Sequence, residues 1–127
     1  MTKQGSYWAY VLDEESRTSL LKRFPPKFSN VIAHHITVCF GKVLPPSFTE
    51  GHKQDIDVAW YCSDSSLEAV EVRVGSIARP DGKPFHITLS LDRDAGRKPV
   101  DSNAVLASAN MIPVIPVLKL TGTLQFC

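Results

Sequence analysis

The sequence predicts an α+β fold built on an antiparallel sheet, and three observations carry that expectation. About six short runs rich in aromatic and β-branched residues recur along the chain, one longer helix is signalled near the N-terminus, and most connections between runs are short turns. Short connections join antiparallel neighbours, whereas parallel strands need crossovers of about a dozen residues or more. No linker or low-complexity stretch divides the chain, so residues 1–127 are expected to form a single domain with a core of its own.

Tyr7-Trp8-Ala9-Tyr10-Val11-Leu12 reads as the first strand. Asp13 ends it and is a good N-cap for a helix starting at Glu14-Glu15. Leu20, Leu21 and Phe24 follow at helical spacing until Pro25-Pro26 stops the run after about ten residues. Ala33 to Phe40 is a second strand, closed by Gly41 and followed by a loop through Pro45-Pro46 and Gly51. The runs Asp55 to Cys62 and Leu67 to Ile77 flank the polar turn Ser63-Asp64-Ser65-Ser66 and read as a hairpin. Arg79-Pro80-Asp81-Gly82-Lys83-Pro84 is a turn by composition and delivers the chain into a strand from Phe85 to Leu91. After a charged loop from Asp92 to Lys98, Asp101-Ser102-Asn103 caps a short helix through Ala109, and Val117 to Phe126 alternates as a last strand.

Composition narrows the function classes. A hydrophobic fraction of 43% and a charged fraction of 21% are ordinary for a soluble globular protein, and no stretch is apolar for long enough to span a bilayer. The first residues, Met1 to Ser6, show no apolar targeting region. Cys39, Cys62 and Cys127 are odd in number with no short paired spacing, against a disulfide framework or a zinc knuckle, so a cytoplasmic setting is expected. Fourteen basic and thirteen acidic side chains give a net charge of +1, so no global field draws the chain to duplex DNA or to a membrane surface. Phosphate binding would have to be local, in a pocket for a small anion or a strand terminus.

The informative feature is an internal echo. His35-Ile36-Thr37-Val38 and His86-Ile87-Thr88-Leu89 share the order His, apolar, Thr, apolar. Strand side chains alternate, so each His and Thr share one face while the apolar residues take the other. The expected polar faces are His35, Thr37 and Cys39 in one strand, backed by Ile36, Val38 and Phe40, and His86, Thr88 and Ser90 in the other. Two such strands side by side would set two His/Thr pairs on one groove. Phosphodiester cleavage needs one group to take a proton from the attacking oxygen and another to give one to the leaving oxygen, and imidazole can do either near neutral pH. Two imidazoles allow this without a metal ion, and the Thr37 and Thr88 hydroxyls beside them can hold the non-bridging oxygens.

The paired His-x-Thr strands resemble the two-histidine (2H) phosphoesterase superfamily, which includes RNA 2′,3′-cyclic phosphodiesterases, cyclic phosphodiesterase domains of tRNA ligases, and enzymes that degrade cyclic or 2′,5′-linked signalling nucleotides. The resemblance implies a bilobed antiparallel sheet with pseudo-twofold symmetry, a central groove and few flanking helices. It also implies metal-independent catalysis by His35 and His86 on a nucleotide or RNA-end substrate, with 2′,3′-cyclic phosphates the leading substrate class. Cyclic or 2′,5′-linked signalling nucleotides are an alternative for the same site. A non-catalytic RNA- or nucleotide-binding module is the alternative from another class.

Other candidates are weighed beside these four. Arg93, Arg97 and Lys98 follow the second motif and are within reach of a bound phosphate, although a charged loop is more often just solvated. Tyr7, Trp8 and Tyr10 of the first strand are candidates to stack a base, Tyr7 foremost, although aromatic residues there are more often core and only one alternating face can line a groove. His34 heads no His-x-Thr pattern, and strand parity would aim it away from His35, as a structural or edge-exposed residue. A zinc site from His34, His35, His52 and His86 matches no ligand spacing, so no metal and no cofactor are expected. The expected state is a monomer.

Overall fold

Residues 7–108 and 110–127 are described by a computed structural model, and strand β1 (Tyr7–Leu12) opens them. Helix α1 (Glu14–Arg23) follows as its local chemistry dictates. The Asp13 carboxylate accepts from the Ser16 N–H at 2.8 Å, Glu14 and Glu15 lie in the first turn, and Lys22 and Arg23 in the last. Leu20 is fully buried beneath the helix, with Leu21 and Phe24 packed against the same core. The Ser16 hydroxyl also accepts from the Thr121 N–H at 2.8 Å, fastening the helix to the last strand.

Six further strands complete the sheet: β2 (Asn30–Val31), β3 (His35–Phe40), β4 (Lys53–Ser63), β5 (Leu67–Val74), β6 (Phe85–Leu91) and β7 (Ile112–Phe126). Their order is β2-β6-β5-β4-β7-β1-β3, and every pairing is antiparallel. A second helix, α2 (Ser102–Ser108), packs on β5. The fold is α+β, with a seven-stranded antiparallel sheet and two α-helices among the described residues. None of these helices is long and apolar enough to cross a membrane.

The first and last strands of this order are consecutive in the chain, and that brings the two motifs together. Residues 30–33 run along β6, with the Ile32 N–H donating to the Leu89 carbonyl and the Ala33 N–H to the Thr88 carbonyl, both at 2.8 Å. Ala33 then turns the chain at φ 44°, in the left-handed region that an L-residue seldom enters, and residues 35–40 continue along β1. Arg17 of α1 holds this crossing by donating to the Ala33 and Ile32 carbonyls at 3.1 and 3.4 Å. The sheet is thereby drawn round until β3 and β6 lie side by side across a groove.

Several sequence boundaries move for identifiable reasons. The expected strand from Ala33 begins at His35, because Ala33 makes the turn, and the two-residue β2 before it carries no periodic signal of its own. The run to Ile77 stops at Val74, where Gly75 takes φ 53° and Ile77 bridges back to Val74. The last strand begins at Ile112, ahead of the expected Val117, since Ile112 and Pro113 pair with the far half of β4. The end of the expected helix, Ala109, lies outside the described residues.

Candidate active site

Alternation along the strands sets the chemistry. On β3, Ile36 and Val38 are buried in the core while His35 and Thr37 are half-buried on the opposite face. On β6, His86 and Thr88 turn the same way, and Ile87 and Leu89 fill the core behind them. All four motif residues line one pocket of about 200 Å³ at the mouth between the strands. Tyr7 lines it too, its ring centroid 5.2 Å from that of His35. Trp8 and Tyr10, on the other face of β1, are core residues.

Three members of the expected faces lie elsewhere: Cys39, read as a groove residue, is packed against the core opposite Trp8, and Phe40 and Ser90 change sides as well. Phe40, read as backing for the core, is 67% exposed and stands on the pocket rim 6.2 Å from Tyr7, because the pairing of β3 with β1 slips by one residue between Thr37 and Cys39 and reverses the alternation beyond it. Ser90, read as a groove residue, is sealed beneath the segment after α1. Its hydroxyl donates to the buried Glu68 carboxylate and accepts from the Phe28 N–H at 3.2 Å, while Tyr61 donates to the same carboxylate at 2.7 Å.

The basic residues after the second motif are placed away from the pocket lining. Arg97 donates to the Ser66 hydroxyl at 2.7 Å and to the Asp64 carboxylate, which ties it to the β4–β5 turn. Arg93 sits in a short 3-10 turn, its N–H on the Asn30 side chain, and the Lys98 N–H donates to Asp101. The cation that does line the pocket is Arg79, from the turn before β6, joined by Asn103 of α2. In the sequence Arg79 sits within a proline- and glycine-containing turn, where a charged side chain is ordinarily solvated, so nothing there marks it.

The two halves of the site differ in burial. His86 is 8% exposed and its Nδ1 has no hydrogen-bond partner. Burial above all, and then the charge of Arg79, push its pKa down to about 4 against weaker opposing pulls from the Pro84 carbonyl and Asp81. Its ring is neutral at pH 7. His35 remains half-exposed, and its Nδ1 lies 3.1 Å from the Nδ1 of His34. His34 is exposed and outside the pocket lining, but it precedes β3, so strand parity does not separate it from His35.

The threonines differ as well. Thr88 is 5% exposed, 3.2 Å from the Pro99 carbonyl and 2.7 Å from the buried Ser102 hydroxyl. A hydroxyl has one proton. When Thr88 donates to Pro99, Ser102 donates to Thr88; when Thr88 turns its proton to the pocket, the Ser102 donor can still support it.

Among the described residues no three His, Cys, Asp or Glu side chains gather in a metal-holding group. No family model matches the sequence, and no curated protein matches it either. The fold, however, is similar to that in the crystal structure of a fungal RNA kinase, with a TM-score of 0.60 and 12% identity over 98% of this chain and 46% of that one. The chain thus spans less than half of that protein's length, and at this identity the likeness is one of fold.

Proposed function

We propose that the chain is a metal-independent phosphodiesterase of the two-histidine type, acting on a nucleotide or RNA phosphodiester, with a 2′,3′-cyclic phosphate as the leading substrate. The observation that carries this reading is the meeting of both His-x-Thr pairs in one pocket, although they come from strands near opposite ends of the sheet order. The similar fold in a protein described as an RNA kinase supports an RNA-related substrate. Pocket size supports a compact one, since about 200 Å³ is smaller than the roughly 300–1,000 Å³ that encloses larger ligands. A cyclic phosphate and its ribose would sit inside, with the base at the rim beside Tyr7 and Phe40.

The unequal burial of the two rings supports one division of the proton roles. His86, neutral at pH 7, takes a proton from water as the oxygen attacks phosphorus, and the anionic substrate raises the basicity of the ring by placing negative charge beside it. His35, half-exposed at the mouth of the pocket, gives a proton to the 2′ or 3′ oxygen as its bond to phosphorus breaks. The product is a phosphomonoester. Thr37 and Thr88 hold the non-bridging oxygens.

The test is turnover of the purified protein in excess EDTA against 2′,3′-cyclic nucleotides, cyclic dinucleotides and linear 2′,5′-oligonucleotides. Turnover of the first group in EDTA is expected. Preferential turnover of either other group transfers the reading to signalling nucleotides, and activity lost in EDTA but restored by zinc or manganese refutes the two-histidine mechanism. Binding without turnover of any substrate leaves the binding-module reading.

A further inference from the structure

We propose that Arg79 is the charge that receives the substrate phosphate, its guanidinium pairing with a non-bridging oxygen in the pocket between the two histidines; the inference rests on the phosphodiester reading above.

Arg79 is a buried cation in the pocket wall, its side chain 3% exposed. Burial of a charge is costly unless partners replace the lost water. The partners here are incomplete. Nε lies 3.1 Å from the Asp81 carboxylate but makes no aligned hydrogen bond, and the Asp81 side chain is 42% exposed, so water shares its charge. Nη1 reaches the Pro84 carbonyl and the Asn103 side-chain oxygen, both at 3.4 Å, well beyond the roughly 2.7–2.9 Å of a good charge-assisted bond. A guanidinium carries five N–H donors in a planar fork suited to phosphate.

A structural role would account for the tether across the 79–84 turn, since Asp81, Pro84 and Asn103 all touch the arginine. It does not account for a cation beside His86, where its charge disfavours the protonated ring. An anion bound between them relieves both costs. It pairs with Arg79 and favours protonation of His86 as the reaction proceeds. Asn103, accepting from Nη1, would hold the fork toward the pocket.

The experiment measures binding of inorganic phosphate and of adenosine 2′-monophosphate by NMR titration, reading the His86 ring, in wild type, Arg79→Met and Arg79→Lys. A charged hydrogen bond of ordinary strength corresponds to about a 10- to 100-fold rise in Kd when Arg79→Met removes it. The free His86 ring should also titrate at higher pH in that variant and respond less to phosphate. Arg79→Lys keeps the charge but not the fork, so its Kd should rise less while the free His86 ring stays near its wild-type titration. Wild-type phosphate affinity in folded Arg79→Met overturns the proposal. If Arg79→Met fails to fold, Arg79→Lys decides, and wild-type affinity there overturns it equally. Turnover with kcat/KM unchanged in either folded variant sinks the role of Arg79 alone. Arg79-dependent phosphate binding without turnover of any phosphodiester sinks the phosphodiesterase reading and leaves the anion site standing.

Discussion

Acid should destabilise this protein through one side chain. His86 titrates near pH 4 in the fold against an ordinary value of 6.5, chiefly because it is buried. The unfolded chain therefore binds a proton at a pH where the folded one does not. Stability falls as pH drops below 6.5 and levels off below about 4; above 6.5 the ring contributes no pH dependence. Each pH unit in that window costs about 1.4 kcal/mol, so the drop from pH 7 to 4 costs about 3 kcal/mol. That is a large share of the roughly 5–15 kcal/mol by which domains are stable. The assay is urea unfolding of wild type and His86→Gln at several pH values between 7 and 4, and the difference of differences cancels the carboxylates common to both chains. The wild type should lose about 3 kcal/mol more than the variant. Parallel pH dependence in the two proteins would refute the claim that His86 is held neutral by burial.

Other outcomes follow from the geometry. His35→Ala and His86→Ala should each lower kcat/KM about 100-fold or more, and the double variant should lose far less than the product of the single losses, because the groups act as a unit; near-wild-type activity in either folded variant would break the shared site. Ser102→Ala removes the buried hydroxyl 2.7 Å from Thr88 and should cost about 1–3 kcal/mol of stability by urea unfolding, with an unchanged midpoint counting against the pairing. His34→Ala should keep activity within about tenfold of wild type, because the exposed His34 ring lies outside the pocket lining; a loss as deep as that of His35→Ala would transfer the catalytic role to His34.

Much of the fold was legible because local chemistry and tertiary context agree. β1, α1 and β6 fall where their residues signal them, since Asp13 and Pro25-Pro26 bracket the helix and Phe85 to Leu91 is apolar on its core face. The antiparallel sheet also follows from short connections. The crossing at Ala33 was not legible, because nothing about an alanine announces a positive φ. The pocket's cation was hidden for a different reason. Arg93, Arg97 and Lys98 are near the motif in sequence, whereas Arg79 is near it in space, and it takes the β5–β6 turn and α2 together to bury a guanidinium there.

Sequence parity between the motifs does not make them equivalent. Each reads His-Ile-Thr, yet β3 ends the sheet order with β1 as its paired neighbour, while β6 is flanked by β5 and β2 and roofed near Thr88 by Pro99 and Ser102. Position in the sheet thus leaves His35 and Thr37 half-exposed and buries His86 and Thr88. The reaction proposed above takes a proton on one side of phosphorus and gives one on the other, and rings in unlike environments can hold unlike protonation states at one pH. Strand order supplies what the repeated motif lacks: one ring buried within the sheet and kept neutral by its surroundings, and one left half-exposed at the sheet's end.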